Sequence, residues 1–389
     1  MTRRAFLIVL DGLGCGPAHD QAAYGDEGSD TLGNLARAAG GLHLPVLERL
    51  GLGRCGTIQG LSSSVEVTGA YGVAEPVSPG KDSTSGHWEL TGVVLEHPFP
   101  TYPHGFPADL LAEFARRTGR GVLCNRPASG TKVLDEFAGR HVATGDLIVY
   151  TSADSVFQVA AHEAVVPLDA LYEACAIARD ICRPPHDVSR VIARPFVGSP
   201  GQWVRTANRK DLSLVPPGTT LLDTLAEAGI ARHGIGKVDD LFAGRAITST
   251  HTPTNRDAYR LLHDAFDTVD SGLVFANVIE FDQSWGHRND VPGFVGGLHE
   301  LDAVLPGLLG KVQPDDLVMF TADHGNDPTT PSTDHSRERV PVLVVGPKVL
   351  PVSIGVRRTF ADLGQTVAEF LGARPLSAGA SFLHEVWRD

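Results

Sequence analysis

Three apolar runs in this 389-residue chain stop at aspartate: AFLIVLD at Asp11, LVFANVIEFD at Asp282 and DDLVMFTAD at Asp323. Each run has the length and β-branching of a buried strand. Open parallel α/β sheets bind their ligands beyond the carboxyl ends of the strands. Three carboxylates at three such ends would meet in one cleft, however far apart they lie in the sequence. Aspartate also ends strands simply because it forms turns well, and one instance would mean no more than that. Here the pattern recurs three times, and two of the runs have histidines close behind.

Helical patterns separate the strands. TLGNLARAAG and LPVLERLGLG are amphipathic and stop at glycine, VPGFVGGLHELDAVLPGLLGKV leads into the Asp323 strand, and FADLGQTVAEFLGA comes late. The alternation predicts an α/β fold with a largely parallel sheet flanked by helices. The middle of the chain alternates in the same way, but no strand there ends in aspartate with a nearby histidine. Its flanks, EHPFPTYPHGFP and LVPPGTTLLD, are rich in proline. We therefore expect a discontinuous core, residues 1–98 and 217–389, carrying an inserted α/β cap domain at 99–216.

The candidate ligands fall into two groups beside Asp11. Asp282 precedes His287 in D-x4-H, and Asp323 opens a D-H-G-x8-D-H pattern that includes His324 and ends at His335. A lone histidine is more often packed or exposed than ligating. Three carboxylates with three imidazoles are a mixed O/N set suited to two divalent ions. Such pairs sit about 3.5–4 Å apart and clamp both ends of an in-line displacement. Gly286 and Gly325 would let the backbone turn tightly beside them.

Composition narrows the substrate. The formal net charge of -13 disfavours nucleic acid and anionic membranes as partners. It would also repel a phosphate, unless bound dications make the local field positive. Five cysteines, odd in number and without a C-x-x-C pair, suit reduced thiols and a cytoplasmic protein. The opening MTRRAFLIVLDGLG faintly resembles a signal peptide, but its short apolar run ends in Asp11 and reads better as a first strand. No stretch has the length of a membrane span.

One polar stretch remains, SPGKDSTSGHWEL, with consecutive hydroxyls at Ser83, Thr84 and Ser85. It is too polar for a core strand, and Gly86 is a poor residue for a helix interior. It is either a solvated turn or a nucleophile loop.

Together these motifs resemble the alkaline phosphatase superfamily and, more narrowly, the bacterial-type phosphopentomutases. The likeness runs nearly end to end through FLIVLDGLGCG, GDEGSDTLGNLA, GKDSTSGHWEL, PASGT, YTSADSVFQVAAHE, RVIARPFVG, GIGK, FDQSWGHRND and TADHGNDPTTPSTDHSRERVP. TADHGND...TDH is shared in part with the longer cofactor-independent phosphoglycerate mutases, whereas the GKD-to-GHWE stretch is far more specific. The resemblance implies an alkaline-phosphatase-like core with an inserted cap, and interconversion of ribose 1-phosphate with ribose 5-phosphate or the deoxyribose pair. It implies that Asp282, His287 and His335 hold one manganese and that Asp11, Asp323 and His324 hold the other. Ser83, the hydroxyl after GKD, would be phosphorylated, pass its phosphoryl group through a pentose 1,5-bisphosphate, and be primed by a sugar bisphosphate such as glucose 1,6-bisphosphate. Ser152, Asp154, Arg190, Arg205 (or Arg209) and Lys237 would hold the sugar and its distal phosphate, in a cap whose closure excludes water. The partners implied are small pentose phosphates, with no obligate protein partner.

The chain departs from the family pattern at three places. Ser83 stands where threonine is usual and lacks the methyl that restricts χ1. Glu280 replaces the first aspartate of DFD, and strand alternation would turn it toward the metals beside Asp282. Asn289 stands where a second arginine is common. The competing readings are a metal-dependent phosphohydrolase on the same scaffold and a non-catalytic sugar-phosphate sensor; retention of all six ligands and a hydroxyl argues against the sensor.

Overall fold

The computed structural model describes residues 3–152 and 155–388. The chain divides into two compact units, one running to Pro98 and resuming at Pro216, the other Phe99–Val215. The first unit begins with β1 (Arg4–Leu10) and β2 (Ala70–Ala74). The second unit holds β3 (Val122–Pro127), β4 (Leu147–Thr151), β5 (Val156–His162), β6 (Arg190–Ser199), β7 (Gln202–Arg205) and β8 (Lys210–Ser213). The first unit then resumes with β9 (Arg232–Ile235), β10 (Ser249–Thr250), β11 (Gly272–Val278), β12 (Asp316–Thr321), β13 (Val340–Val345) and β14 (Ser353–Arg357).

The core sheet runs β10-β9-β11-β1-β12-β13-β2-β14. It is parallel from β10 to β12, β13 runs antiparallel to both of its neighbours, and β14 is again parallel to β2. The sheet is therefore mixed, with one reversed strand outside the parallel block. Every residue of β1, β11 and β12 is buried, as expected for strands covered on both faces. These three lie side by side, with Leu10 opposite Val278 and Val9 opposite Thr321. Their carboxyl ends are therefore neighbours.

Arg4 anchors the other end of this block. Its guanidinium donates to both Asp316 oxygens, at 2.8 and 2.6 Å, and to the carbonyls of Phe266 and Val269, at 2.8 and 3.0 Å. Both side chains are almost wholly buried. The bidentate geometry satisfies the planar fork of arginine and fixes the register of the first strand. Among the described residues no helix is long and apolar enough to cross a membrane.

In the inserted unit the sheet order is β3-β4-β5-β6-β7, with β8 also paired to β6. Residues alternate between its two faces. Leu147 and Val149 pack with Phe114 and Leu171, while Ile148 and Tyr150 pack with Val133 and Ala138. Helices Ala108–Thr118 and Leu168–Ile181 cover the first face, and Gly130–Thr144 covers the second. This unit thus carries its own two-sided core.

Removing one partner of a buried ion pair strands a charge and costs about 3–5 kcal/mol. Arg4→Met should accordingly lower unfolding stability by about that much in denaturant titrations. A value within experimental error of the parent would mean that the pair does not hold the strand.

Candidate active site

Asp11 follows β1 directly, and Asp323 lies two residues beyond β12. Asp282 is different. The apolar run that contains it stops being a strand at Val278, and Asp282 sits in a π-helical turn, Phe281–Trp285. Single π turns recur at functional sites. The turn also overturns the expected orientation of Glu280. Its carboxylate accepts from the Asn255 backbone N–H at 2.6 Å, at the start of helix Asn255–Thr268. Strand alternation does not extend past Val278, so Glu280 serves a helix N-terminus, where negative charge is favoured. Asn289 has φ 52°, a left-handed conformation that asparagine tolerates better than arginine.

The stretch changes character at Asp82: residues 75–82 form a loop, and the hydroxyls after it belong to a helix. Ser83–Leu90 forms a helix, which follows α1 (Thr31–Ala38) and α2 (Pro45–Leu50) and is α3. Asp82 is its N-cap, accepting from the N–H groups of Thr84 and Ser85 at 3.0 and 3.1 Å. The Asp82 backbone N–H donates back to Ser85 Oγ at 3.4 Å, closing a capping box. Gly86 is in the interior for a packing reason. A Cβ there would lie 2.1 Å from the Asp323 carbonyl oxygen, so close approach outweighs helix propensity.

This arrangement separates the three hydroxyls. Thr84 and Ser85 are buried in the first turn, whereas Ser83 is half-buried. Ser83 Oγ lies 3.1 Å from His324 Nε2 and donates to Asp11 Oδ1 at 3.4 Å. The donor atoms of Asp11, Asp282 and His324 lie within 4.8 Å of one another, and so do those of Asp282, His287 and His335. Asp282 belongs to both sets. Asp323 Oδ2 is 3.5 Å from His324 Nε2.

Each carboxylate is oriented by an amide. Asn277 Nδ2 donates to Asp11 Oδ2 at 3.0 Å, Asn326 Nδ2 to Asp282 Oδ1 at 2.6 Å, and Gly12 N to Asp323 Oδ1 at 3.2 Å. Two imidazoles are oriented by carbonyls. His287 Nδ1 faces Thr333 O at 2.7 Å and His324 Nδ1 faces Gly325 O at 3.0 Å. Each Nδ1 therefore carries its hydrogen, and each Nε2, turned to the carboxylates, is the atom that binds either a proton or a metal ion, the usual arrangement of metal-binding histidines. Sequence reasoning overlooked Asn277 and Asn326; a polar amide inside the apolar LVFANVIEF run was the available signal for the first.

The residues fit a divalent cation. Asp323 Oδ2 is buried without a hydrogen-bond partner. His87 Nδ1 comes within 3.0 Å of it but is aligned on the Ser83 carbonyl at 2.9 Å. A buried carboxylate oxygen left in this state calls for positive charge. Titration behaviour agrees. Burial, then the charges of Asp323 and Asp282, push the Asp11 carboxyl up. Burial opposes protonation of His324, yet Asp323 and Asp11 drive that imidazole well above its ordinary value. Against the same opposition from burial, Asp282 raises His287 to about 9.

Comparison with known proteins bears on this site. A model of the metalloenzyme superfamily matches residues 3–375. A phosphopentomutase of Anaeromyxobacter sp. (strain K) is 53% identical over 390 residues, covering 100% of both chains. Another, from Caldanaerobacter subterraneus subsp. tengcongensis, is 48% identical over 388 residues, covering 99% of this chain and 98% of its own. The chain belongs to the phosphopentomutase family. It is thus an isomerase of the phosphotransferase mutase kind, with an alkaline-phosphatase-like α/β fold. A phosphoglycerate mutase structure from Leishmania mexicana aligns over 100% of this chain and 98% of its own, with TM-score 0.50 and 13% identity; that likeness concerns the fold.

The residues expected to contact the sugar are less gathered. Ser152, Arg190 and Arg205 lie on the inserted unit, Lys237 lies on the core unit at the start of a short helix, and Asp154 falls outside the described residues. Arg190 is 3.7 Å from Asp211, which also takes a bidentate contact from Arg209 at 2.6 Å. Lys237 donates to Gln283. Arg205 is exposed.

Two predictions follow from this geometry. Protons and divalent cations would compete for His287 and His324, whose pKa values are raised, so divalent-cation affinity should fall as pH drops below about 9. Calorimetry in buffers of different ionisation enthalpy should detect proton release on binding, and a pH-independent affinity would contradict it. Gly86→Ala should push α3 off Asp323 and lower kcat by on the order of 10²-fold, with far-UV circular dichroism unchanged; full activity would show that the close packing is dispensable.

Proposed function

We propose that the protein interconverts ribose 1-phosphate and ribose 5-phosphate, and the deoxyribose pair, by phosphoryl transfer through Ser83. The observation that carries this reading is the placement of one half-buried hydroxyl, Ser83 Oγ, between Asp11 and His324 at the N-terminus of α3. Its two hydroxyl neighbours are committed to the helix cap and the interior. Membership of the phosphopentomutase family supports the substrate class.

Asp282, His287 and His335 would hold one divalent cation, and Asp11, Asp323 and His324 a second. Manganese is the metal that the family resemblance favours. When bound, the pair supplies the positive charge that draws a phosphate into an acidic protein and lowers the pKa of the serine hydroxyl.

The remaining steps belong to the chain. Phosphoserine 83 gives its phosphoryl group to the free hydroxyl of a pentose phosphate. The Oγ–P bond breaks, a sugar O–P bond forms, and the sugar hydroxyl proton passes to the departing serine oxygen. The resulting pentose 1,5-bisphosphate turns and returns its other phosphoryl group to Ser83. The dipole of α3, whose N-terminus carries Ser83, favours negative charge there. A sugar bisphosphate such as glucose 1,6-bisphosphate loads Ser83 initially. Ser152, Asp154, Arg190, Arg205 and Lys237 are the proposed contacts for the sugar and its distal phosphate. Arginine is suited to bidentate phosphate binding and lysine to a point contact.

A coupled assay with manganese, with and without primer, tests the reading while free phosphate is followed. Ser83→Ala should lower ribose 1-phosphate conversion by at least about 10³-fold, and Ser83→Thr should stay within about tenfold of the parent. Mass spectrometry of primed protein should find phosphate on Ser83. Phosphate on Thr84 or Ser85 instead, or release of inorganic phosphate without isomerisation, would overturn the assignment.

A further inference from the structure

We propose that His87, acting with Asn277, is a positioning residue that locks the backbone of Ser83 to Asp11, the carboxylate that accepts from its hydroxyl. The inference rests on the nucleophilic role of Ser83 and adds the device that aims it.

His87 lies one helical turn after Ser83 on α3, so its side chain leans back over that residue. It is completely buried. Nδ1 is 2.9 Å from the Ser83 carbonyl oxygen and 3.0 Å from Asp323 Oδ2. Facing two oxygens, Nδ1 carries the hydrogen and Nε2 is bare. Nε2 accepts from Asn277 Nδ2 at 3.2 Å, and the same amide nitrogen donates its other hydrogen to Asp11 Oδ2 at 3.0 Å. Asn277 is also completely buried, on β11 and opposite Val9 of β1. The His87 ring packs against Phe275, with centroids 5.7 Å apart.

The connections form a closed frame. From the Ser83 carbonyl it runs through His87 and Asn277 to Asp11, whose other oxygen receives the Ser83 hydroxyl. His87 Nδ1 also lies 3.0 Å from Asp323 Oδ2, without the alignment of a hydrogen bond. An apolar side chain would fill the same space more cheaply than a buried imidazole and a buried amide, because neither polar group would then need a partner. The frame they form ends on Asp11, which accepts from Ser83 Oγ. The frame matters more in this chain because residue 83 is serine. With no γ-methyl to restrict χ1, the backbone anchor decides where the hydroxyl can reach.

Two substitutions cut the hydrogen bonds of His87 separately. His87→Asn keeps a donor near the Nδ1 position and loses the acceptor, whereas His87→Gln keeps an acceptor near Nε2 and loses the donor. Asn277→Leu breaks the frame from the strand side. Each would be prepared as full-length, manganese-loaded protein. The measurements are bound metal per chain, the thermal midpoint, kcat, KM and the single-turnover rate of Ser83 phosphorylation by glucose 1,6-bisphosphate. We expect phosphorylation to slow by on the order of 10²-fold, with KM for ribose 5-phosphate within about threefold of the parent, metal content unchanged and the protein folded. Combining His87→Asn with Asn277→Leu should cost less than the product of the single losses, since both open one frame.

Phosphorylation within about twofold of the parent overturns the proposal, as does a loss that merely tracks missing metal or unfolded protein. If the His87 variants do not fold, Asn277→Leu decides alone. Ser83→Ala separates the two levels. If it is active, the nucleophile reading fails. If it is inactive while the His87 and Asn277 variants match the parent, the positioning role alone fails.

Discussion

The structure is organised around mutual repulsion. Asp11, Asp282 and Asp323 are brought to one place and buried there. Three desolvated carboxylates at such range would be expelled or protonated without compensation. The compensation is built in layers. His287, His324 and His335 stand among them, and Asn277, Asn326 and the Gly12 N–H take one oxygen of each carboxylate. Asp323 Oδ2 stays buried without a hydrogen-bond partner, an oxygen suited to a cation. An overall charge of -13 and an affinity for phosphate are compatible on these terms, since the field that a ligand meets is set locally.

Much of this was legible in the chain. Asp11 and Asp323 advertise themselves because the strand pattern runs almost up to each. The D-x4-H and D-H-G-x8-D-H spacings marked all three histidines. What the pattern could not reveal was where the backbone leaves a regular path. LVFANVIEFD reads as one strand because its residues are uniformly apolar and branched, but the ladder ends at Val278 and a π turn carries Asp282. Once the turn intervenes, alternation no longer tells which way Glu280 faces. Gly86 misled for a related reason. Helix propensity is a local quantity, and the demand for glycine there comes from Asp323, which is distant in sequence.

The supporting residues were harder still to see. Asn277 and His87 make no motif with each other, because their relation exists only across a helix–strand contact. A single amide in an apolar run, or a histidine in a short helix, is ordinary in isolation. Its meaning depends on what the third dimension places opposite it. The family likeness supplied the proposed ligands and nucleophile, but not the groups that surround them.

The position of the first strand has a consequence for biosynthesis. β1 precedes every other described element, yet both of its neighbours, β11 and β12, come from the last third of the sequence. A strand so placed has no ladder partner while the inserted unit is emerging from the ribosome. The inserted unit has a complete core of its own and can fold meanwhile. Closing β1 into the sheet then requires contacts of very long sequence separation, which form slowly. The cluster around Asp282 is incomplete until His335 has been synthesised, so the nascent protein passes most of its translation as a sheet waiting for its middle.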